Sequence, residues 1–341
     1  MSSPAIAVIG AGAFGTALAA LVASDASPVR LWARRPEAAA RIARTRENEA
    51  HLPGVRLPGE VAVTSDLAAA ASAPLWILAI PAQHLRSVLA EAPLERRPTL
   101  LITAKGLEAG TRNLMTEVAA EVAPHCPAAI LSGPSFAADI ARGLPTAVTL
   151  AASDLAVAQS LARTLARPHF RPYASADPVG AQVGGLTKNV LAIACGVVVG
   201  AGLGESARAA LVARGFAEMT RLGLALGAQA ETMAGLSGLG DLVLTCGSTR
   251  SRNMALGVAL GQGQTPAEAR AGRTDVAEGA ATAPALVALA RRLGIDMPVA
   301  AAVADLLAGR ATLAESIAGL LARPLRNEAE TRHTVAEVQR G

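Results

Sequence analysis

The chain has 341 residues, 52% of them apolar and only 2% aromatic, and carries a net charge of +4 at neutral pH. That length suits two domains, each with a core of Ala, Val and Leu rather than of rings. The surplus charge is dispersed arginine with no aromatic platform, which argues against a nucleic-acid partner and for anionic small molecules.

Residues 5–9 form an apolar run that fits a strand covered on both faces, as in a parallel sheet. The run enters Gly10, Gly12 and Gly15, spaced G-x-G-x-x-G, and helix-forming residues follow from Thr16. Gly10 serves a tight turn, Gly12 lets backbone approach a pyrophosphate, and Gly15 lets the helix pack on the strand. The helix start offers free N–H groups to phosphates, so a dinucleotide is expected here. Because the opening apolar run carries this fingerprint, no signal peptide is expected. Residues 29–33 give a second strand, with Arg34 and Arg35 where NAD-binding chains usually place an acid. A carboxylate would accept from a ribose 2′-OH, whereas a guanidinium fork grips a 2′-phosphate. NADP(H) is therefore favoured, with NAD(H) as the other candidate. Two solvated arginines ahead of Pro36 are the plainer reading.

A polar loop is expected at 48–59, and then strands at 61–64, 75–80, 100–103, 128–131, 147–151 and 170–173, with helices between most of them. Such alternation predicts a parallel, doubly wound, Rossmann-type α/β sheet over residues 1–177. Ligands of such sheets lie at the carboxyl ends of strands, where Lys105 and the stretch 132–135 fall. Past residue 177 the period becomes helical, at 186–199, 207–226, 253–260, 277–293, 299–307 and 313–321. These segments predict an all-α second domain over 178–325, followed by a polar tail at 326–341. The longest apolar run, 190–204, is short for a membrane span and carries four glycines. It reads as a buried helix entering a glycine-rich turn, so no stable membrane insertion is expected.

Of 31 basic residues only two are lysine, Lys105 and Lys188. Lysine, unlike arginine, can lose its proton when buried, so both positions are candidates for chemistry. Lys188 follows Gly184 and Gly185, a pair placed before a helix where another backbone or a ligand can approach. Gly238 to Asp241 reads as a turn presenting a carboxylate. Ser251, Arg252 and Asn253 offer a hydroxyl, a fork and an amide at another helix start. Asp241 as a helix cap and Arg252 as a surface charge are the plainer readings. Cys126, Cys195 and Cys246 form no C-x-x-C, and the five histidines have no ligand spacing, which fits a reducing cytoplasm and no metal.

Taken together, IAVIGAGAFGTALA, NEAHLPGVRLP, AIPAQHLR, TAKGLE, LSGPSFA, GLPTAV, GGLTKNV, GLSGLGDLVLTC, SRN and VAEG resemble the bacterial-type NAD(P)-dependent glycerol-3-phosphate dehydrogenase family, in family order over about residues 5–325. The resemblance implies reduction of dihydroxyacetone phosphate to sn-glycerol 3-phosphate, the backbone of phospholipids. It also implies a cytoplasmic, usually homodimeric enzyme that needs no metal. By motif, Lys188 matches the catalytic lysine. Lys105, Gly133, Ser135, Lys188, Asp241, Ser251, Arg252 and Asn253 match substrate contacts. Gly10, Gly12, Ala13, Phe14, Gly15, Arg34, Arg35, Lys105, Ala137, Arg252, Val276 and Glu278 match the cofactor side. Gln182 and Ser206 depart from the family pattern, at positions with no chemical role.

The residues suit that chemistry. Hydride delivery to a ketone leaves an alkoxide that needs a proton. A buried Lys188 near Lys105 and Arg252 would have its pKa lowered, while Asp241 would orient it and partly oppose the shift. Two alternatives stay open: a related two-domain NADP-dependent reductase acting on a carboxylate substrate, and a non-catalytic NADP(H) sensor. A substrate screen separates the first, and cofactor binding without turnover would mark the second.

Overall fold

The computed structural model describes residues 5–23, 27–70, 72–271 and 277–324. Val276 and the expected tail at 326–341 lie outside them. The chain folds as two compact units, one of residues 1–104 and 113–178, the other of 105–112 and 179–341. Lys105, which follows a sheet strand in sequence, thus groups with the second unit.

The first unit is an α/β layer structure. Its strands are β1 (Ile6–Ile9), β2 (Val29–Trp32), β3 (Glu47–Asn48), β4 (Leu52–Arg56) and β5 (Val61–Thr64), then β6 (Leu75–Leu78), β7 (Thr99–Ile102), β8 (Ala128–Ser132), β9 (Thr146–Ala152) and β10 (Phe170–Ser175). Eight of them form one sheet in the order β10-β9-β8-β7-β6-β1-β2-β5. Its helices are α1 (Ala13–Val22), α2 (Pro36–Thr45), α3 (Leu67–Ala70), α4 (Leu85–Glu91), α5 (Met115–Val122), α6 (Ala137–Ala141) and α7 (Leu155–Leu165). All four residues of β1 are buried, flanked by β2 and β6 in parallel register. Each such Val or Ile contributes about 1.5–3 kcal/mol by leaving water.

Two features depart from the expected parallel sheet and polar loop. The β8–β9 pair is antiparallel. Helix α6, the sole helix between these strands, spans only five residues, or about 7.5 Å, too short to carry the chain back to the far end of the sheet. The segment expected as a loop holds the antiparallel pair β3–β4, whose register shift at Glu47–Asn48 obscures any period-two pattern.

The second unit, over its described residues, is helical: α8 (Pro178–Gly200), α9 (Glu205–Ala225), α10 (Ala230–Ala234), α11 (Asp241–Cys246), α12 (Arg252–Gly261), α13 (Pro266–Arg270), α14 (Glu278–Arg292), α15 (Pro298–Leu307) and α16 (Leu313–Leu321). Helix α8 is its core. Long and apolar enough to cross a membrane, it is 89% buried over its most apolar window. Its backbone touches that of α12: a Cβ on Gly196 would lie 2.2 Å from the Met254 carbonyl oxygen, and one on Gly257 2.0 Å from that of Ile193. Gly184 and Gly185 sit inside α8 rather than before a helix, because Gly184 is needed where the Ser237 carbonyl presses on it, 2.3 Å from a would-be Cβ. The expected turn before Asp241 is instead a π-helical segment, Leu236–Gly240, running straight into α11.

Candidate functional site

In the first unit, the turn after β1 has the shape a pyrophosphate needs. Gly10 has φ +115°, and a Cβ there would sit 2.4 Å from the Ala79 carbonyl oxygen. A Cβ on Gly15 would lie 2.0 Å from the Gly10 oxygen, so helix and turn meet backbone to backbone. Nothing lies within 4 Å of a Cβ on Gly12, and α1 starts there without a side-chain cap. Open space before uncapped N–H groups suits a phosphate pair, and Ala13 and Phe14 open that helix half-buried. One residue escaped the sequence reading of roles. Asn48, 1% exposed, donates to the Ala11 carbonyl and to Thr16 Oγ1, both at 2.8 Å, and so pins the glycine turn. Its signal lay within NEAHLPG, a motif without an obvious chemical group.

Arg34 and Arg35 stand exposed beyond β2, the neighbour of β1, with Arg35 at the N-cap of α2 and no side-chain cap bond there. Beyond β8, Gly133 takes φ +141° and packs on Val148, while Ser135 Oγ donates to the Gly133 carbonyl at 2.9 Å. Ala137 opens α6.

In the second unit, Lys105 and Lys188 converge on one carboxylate. Lys105 Nζ lies 2.6 Å from Asp241 Oδ2, and Lys188 Nζ 2.8 Å from Oδ1. Lys188 also donates to Thr245 Oγ1 at 2.8 Å, and that hydroxyl donates to Asp241 Oδ1 at 3.3 Å. The local fold explains the meeting: Asp241 and Thr245 are one turn apart on α11, facing the middle of α8. Lys188 is 8% exposed and Asp241 1%. Burial lowers the Lys188 pKa to about 8, with Lys105 adding to the fall and Asp241 opposing it. Burial alone would raise the Asp241 carboxyl, but the two ammoniums outweigh it and hold the group below its ordinary value. The carboxylate is thus ionised while Lys188 sits near its titration point. An ammonium has three hydrogens, and two of those on Lys188 are committed to Asp241 and Thr245. Among the described residues nothing takes the third.

A chain of amides frames this cluster. Asn189 Nδ2 donates to the Lys105 carbonyl at 3.1 Å, and Asn253 Nδ2 to Asn189 Oδ1 at 2.9 Å. Asn253 Oδ1 accepts from the Gly279 N–H at 3.0 Å, beside Glu278 at the start of α14. Ser251 caps α12, accepting from the Met254 N–H at 3.3 Å. Arg252, next in the chain, is exposed and makes no hydrogen bond or ion pair with a described residue. So Asn253 and Ser251 spend their side chains holding the frame, whereas Arg252 points outward. Asn189 and Thr245 were missed as partners, although each stands beside a motif residue, in GGLTKNV and LVLTC. Cys195 and Cys246, far apart in sequence, are hydrogen-bond neighbours, which with burial pushes the Cys246 thiol well up. Among the described residues no group of three or more His, Cys, Asp or Glu could hold a metal.

A glycine turn shaped for a pyrophosphate, and a lysine kept close to its titration point on a separate helical unit, define a class: oxidoreductases that use a nicotinamide dinucleotide. Comparison with known proteins narrows it. Models of the NAD-dependent glycerol-3-phosphate dehydrogenase N-terminus and C-terminus match residues 5–158 and 177–318. The chain belongs to that family. A protein named glycerol-3-phosphate dehydrogenase (NAD(P)+) from Parvibaculum lavamentivorans is 55% identical over 326 residues, covering 95% of this chain and 98% of that one. Another of the same name, from Caulobacter vibrioides, is 52% identical over 331 residues, covering 96% of this chain and 100% of that one. The crystal structure of glycerol-3-phosphate dehydrogenase from Coxiella burnetii superposes with a TM-score of 0.88 at 35% identity, covering 93% of this chain and 98% of that one.

Proposed function

We propose that the protein reduces dihydroxyacetone phosphate reversibly to sn-glycerol 3-phosphate, supplying glycerophospholipid synthesis, with Lys188 as general acid and base. The observation that carries this is the ammonium of Lys188, anchored by two hydrogens with the third uncommitted among the described residues. The dinucleotide, when bound, supplies hydride to C2 of the ketone. Lys188 gives its third hydrogen to the developing alkoxide and takes one back in oxidation. Asp241 fixes the ammonium's direction and, with Lys105, sets how readily it gives up that proton. Lys105, Gly133, Ser135, Ser251, Arg252 and Asn253 are the substrate side of the proposal. Arg252 has the free fork for the phosphate, and Asn253 and Ser251 act by holding α12 and α14 in place.

The cofactor side comprises Gly10, Gly12, Ala13, Phe14, Gly15, Arg34, Arg35, Lys105, Ala137, Arg252 and Glu278. Val276 lies outside the described residues, and its role rests on the motif VAEG alone. We read Arg34 and Arg35 as favouring NADP(H) over NAD(H), since Glu37, inside α2, is the nearest following acid. A homodimer in a reducing cytoplasm is part of the same reading.

The test is oxidation of NADPH and of NADH with dihydroxyacetone phosphate. Lys188→Ala should lower kcat by about 10²–10⁴ with cofactor affinity unchanged. Lys188→Arg should rescue little, because guanidinium keeps its proton. Near-wild-type turnover by the Arg variant would remove the assignment.

A further inference from the structure

Twenty-nine of the 31 basic residues are arginine, whose guanidinium is inert toward acyl donors, and both lysines stand on the Asp241 carboxylate. We propose that Lys188 is an acylation site for small acyl phosphates, and that its acylation switches the enzyme off. The inference rests on the reading of this site as one for a ketone phosphate. A small acyl phosphate also carries a carbonyl and a phosphate, joined directly through one oxygen and so one carbon closer together than in the ketone phosphate. Held by the same phosphate contacts, it would place its carbonyl carbon one bond, about 1.5 Å, nearer the phosphate than the ketone carbon, still beside the amine that otherwise serves the ketone oxygen.

The geometry prepares the nucleophile. Two N–H bonds of Lys188 are fixed by Asp241 and Thr245, at 2.8 Å each, so loss of the third proton leaves a lone pair on the side where no described residue accepts a hydrogen bond. Burial beside Lys105 supports this, since a pKa of about 8 leaves roughly 300-fold more neutral amine at pH 7 than in an ordinary lysine.

The step balances without an oxidant or metal. The Lys188 nitrogen attacks the acyl carbon and an N–C bond forms. The bond from acyl carbon to phosphate oxygen breaks, its electron pair leaving with inorganic phosphate. The surplus proton on nitrogen passes to water. The resulting amide neither carries an acidic ammonium nor accepts a proton, so hydride transfer loses its acid and base.

The test incubates the full-length enzyme with acetyl phosphate. The modified position is read by peptide mass spectrometry, and residual turnover is read in parallel. Acetylation at Lys188 should come first, with turnover falling in proportion to the modified fraction. sn-Glycerol 3-phosphate should slow it at least tenfold. Its rate should rise with pH and level off above about 8. An uncharged ester such as p-nitrophenyl acetate, which has no phosphate to be held, should be less selective for Lys188 over Lys105 and the α-amino group than acetyl phosphate is. Lys105→Arg should still be acetylated at Lys188. Acetylation of Lys105 or the α-amino group ahead of Lys188, or labelling unaffected by sn-glycerol 3-phosphate, would overturn the proposal. Turnover of untreated enzyme with dihydroxyacetone phosphate judges the function separately, since the mass measurement needs no activity.

Discussion

Lys188 and Thr245 form a pair whose energetics can be read from pH. The Thr245 oxygen accepts from the ammonium at 2.8 Å, and so favours the charged form. In the role proposed for Lys188, reduction uses it protonated, so its kcat should fall as pH rises through about 8, while oxidation should fall as pH drops below that value. Thr245→Val should move both limbs to lower pH and reduce kcat by about ten- to a hundredfold, for a hydrogen bond to a charged group worth roughly 1.5–3 kcal/mol. Thr245→Ser should restore both. Rate profiles at saturating cofactor check this, and a Val variant with unmoved limbs would make Thr245 mere packing. At this scale the sequence was informative where residue type is itself unusual. Two lysines among 31 basic residues marked the centre. Thr245 and Asn189 are common types, and only the fold shows what they touch.

Helices bring their own tests. The contact of α8 with α12 leaves no room for a methyl group on Gly257, so Gly257→Ala should destabilise by about 1–3 kcal/mol or more from overpacking. Gly319 in α16 has nothing within 4 Å of a would-be Cβ, and Gly319→Ala should be neutral or stabilising by up to about 1 kcal/mol. Urea unfolding of the two variants checks the contrast.

Glu218 of α9 caps α15 from a distance, accepting from the N–H groups of Val299 at 2.8 Å and Ala300 at 3.2 Å. Burial raises its pKa to about 7, opposed by those N–H groups and by Arg221, with Asp296 adding to the rise. Between about 4.5 and about 7 the folded state therefore holds a proton that the unfolded chain has lost. Stability from this group falls as pH rises through that window, by on the order of 3 kcal/mol, and is level above it. Glu218→Gln should flatten that part of the pH–stability curve, as thermal melts from pH 4 to 8 would show. Helix boundaries were legible where apolar period was clean, as at 313–321. They failed at α10, at α13 and at the π-helical segment. Those pieces are too short for periodicity, and glycine spacing alone does not separate a turn from a widened helix.

Over the whole molecule, any ligand that binds only the folded state raises stability by mass action. NADPH at about 100 times its Kd should add about 2.7 kcal/mol. Replacing Arg34 and Arg35 by serine should erase most of that gain at the same NADPH concentration while leaving the gain from NADH. Calorimetry with each cofactor decides it, and equal losses would make the two arginines plain surface. The order of α/β and all-α halves was legible because strand and helix periods change near residue 177. The reversal of β9 was not, because direction depends on how far a connecting helix carries the chain, and a five-residue helix leaves no mark in composition.

The bare-backbone contact of α8 with α12 also limits how this enzyme can change. Where side chains separate two helices, a family can adjust their spacing a fraction of an ångström at a time by exchanging Leu for Val or Ala. Gly196 and Gly257 remove that dial, since neither can be made smaller. A side chain added at either position would have to push the two axes apart. The placement of Lys188 on α8 relative to Arg252 at the head of α12 is in that sense already at its shortest setting. Any residue larger than glycine at either contact can only lengthen that distance, so the floor is set by bare backbone and every substitution there works in one direction.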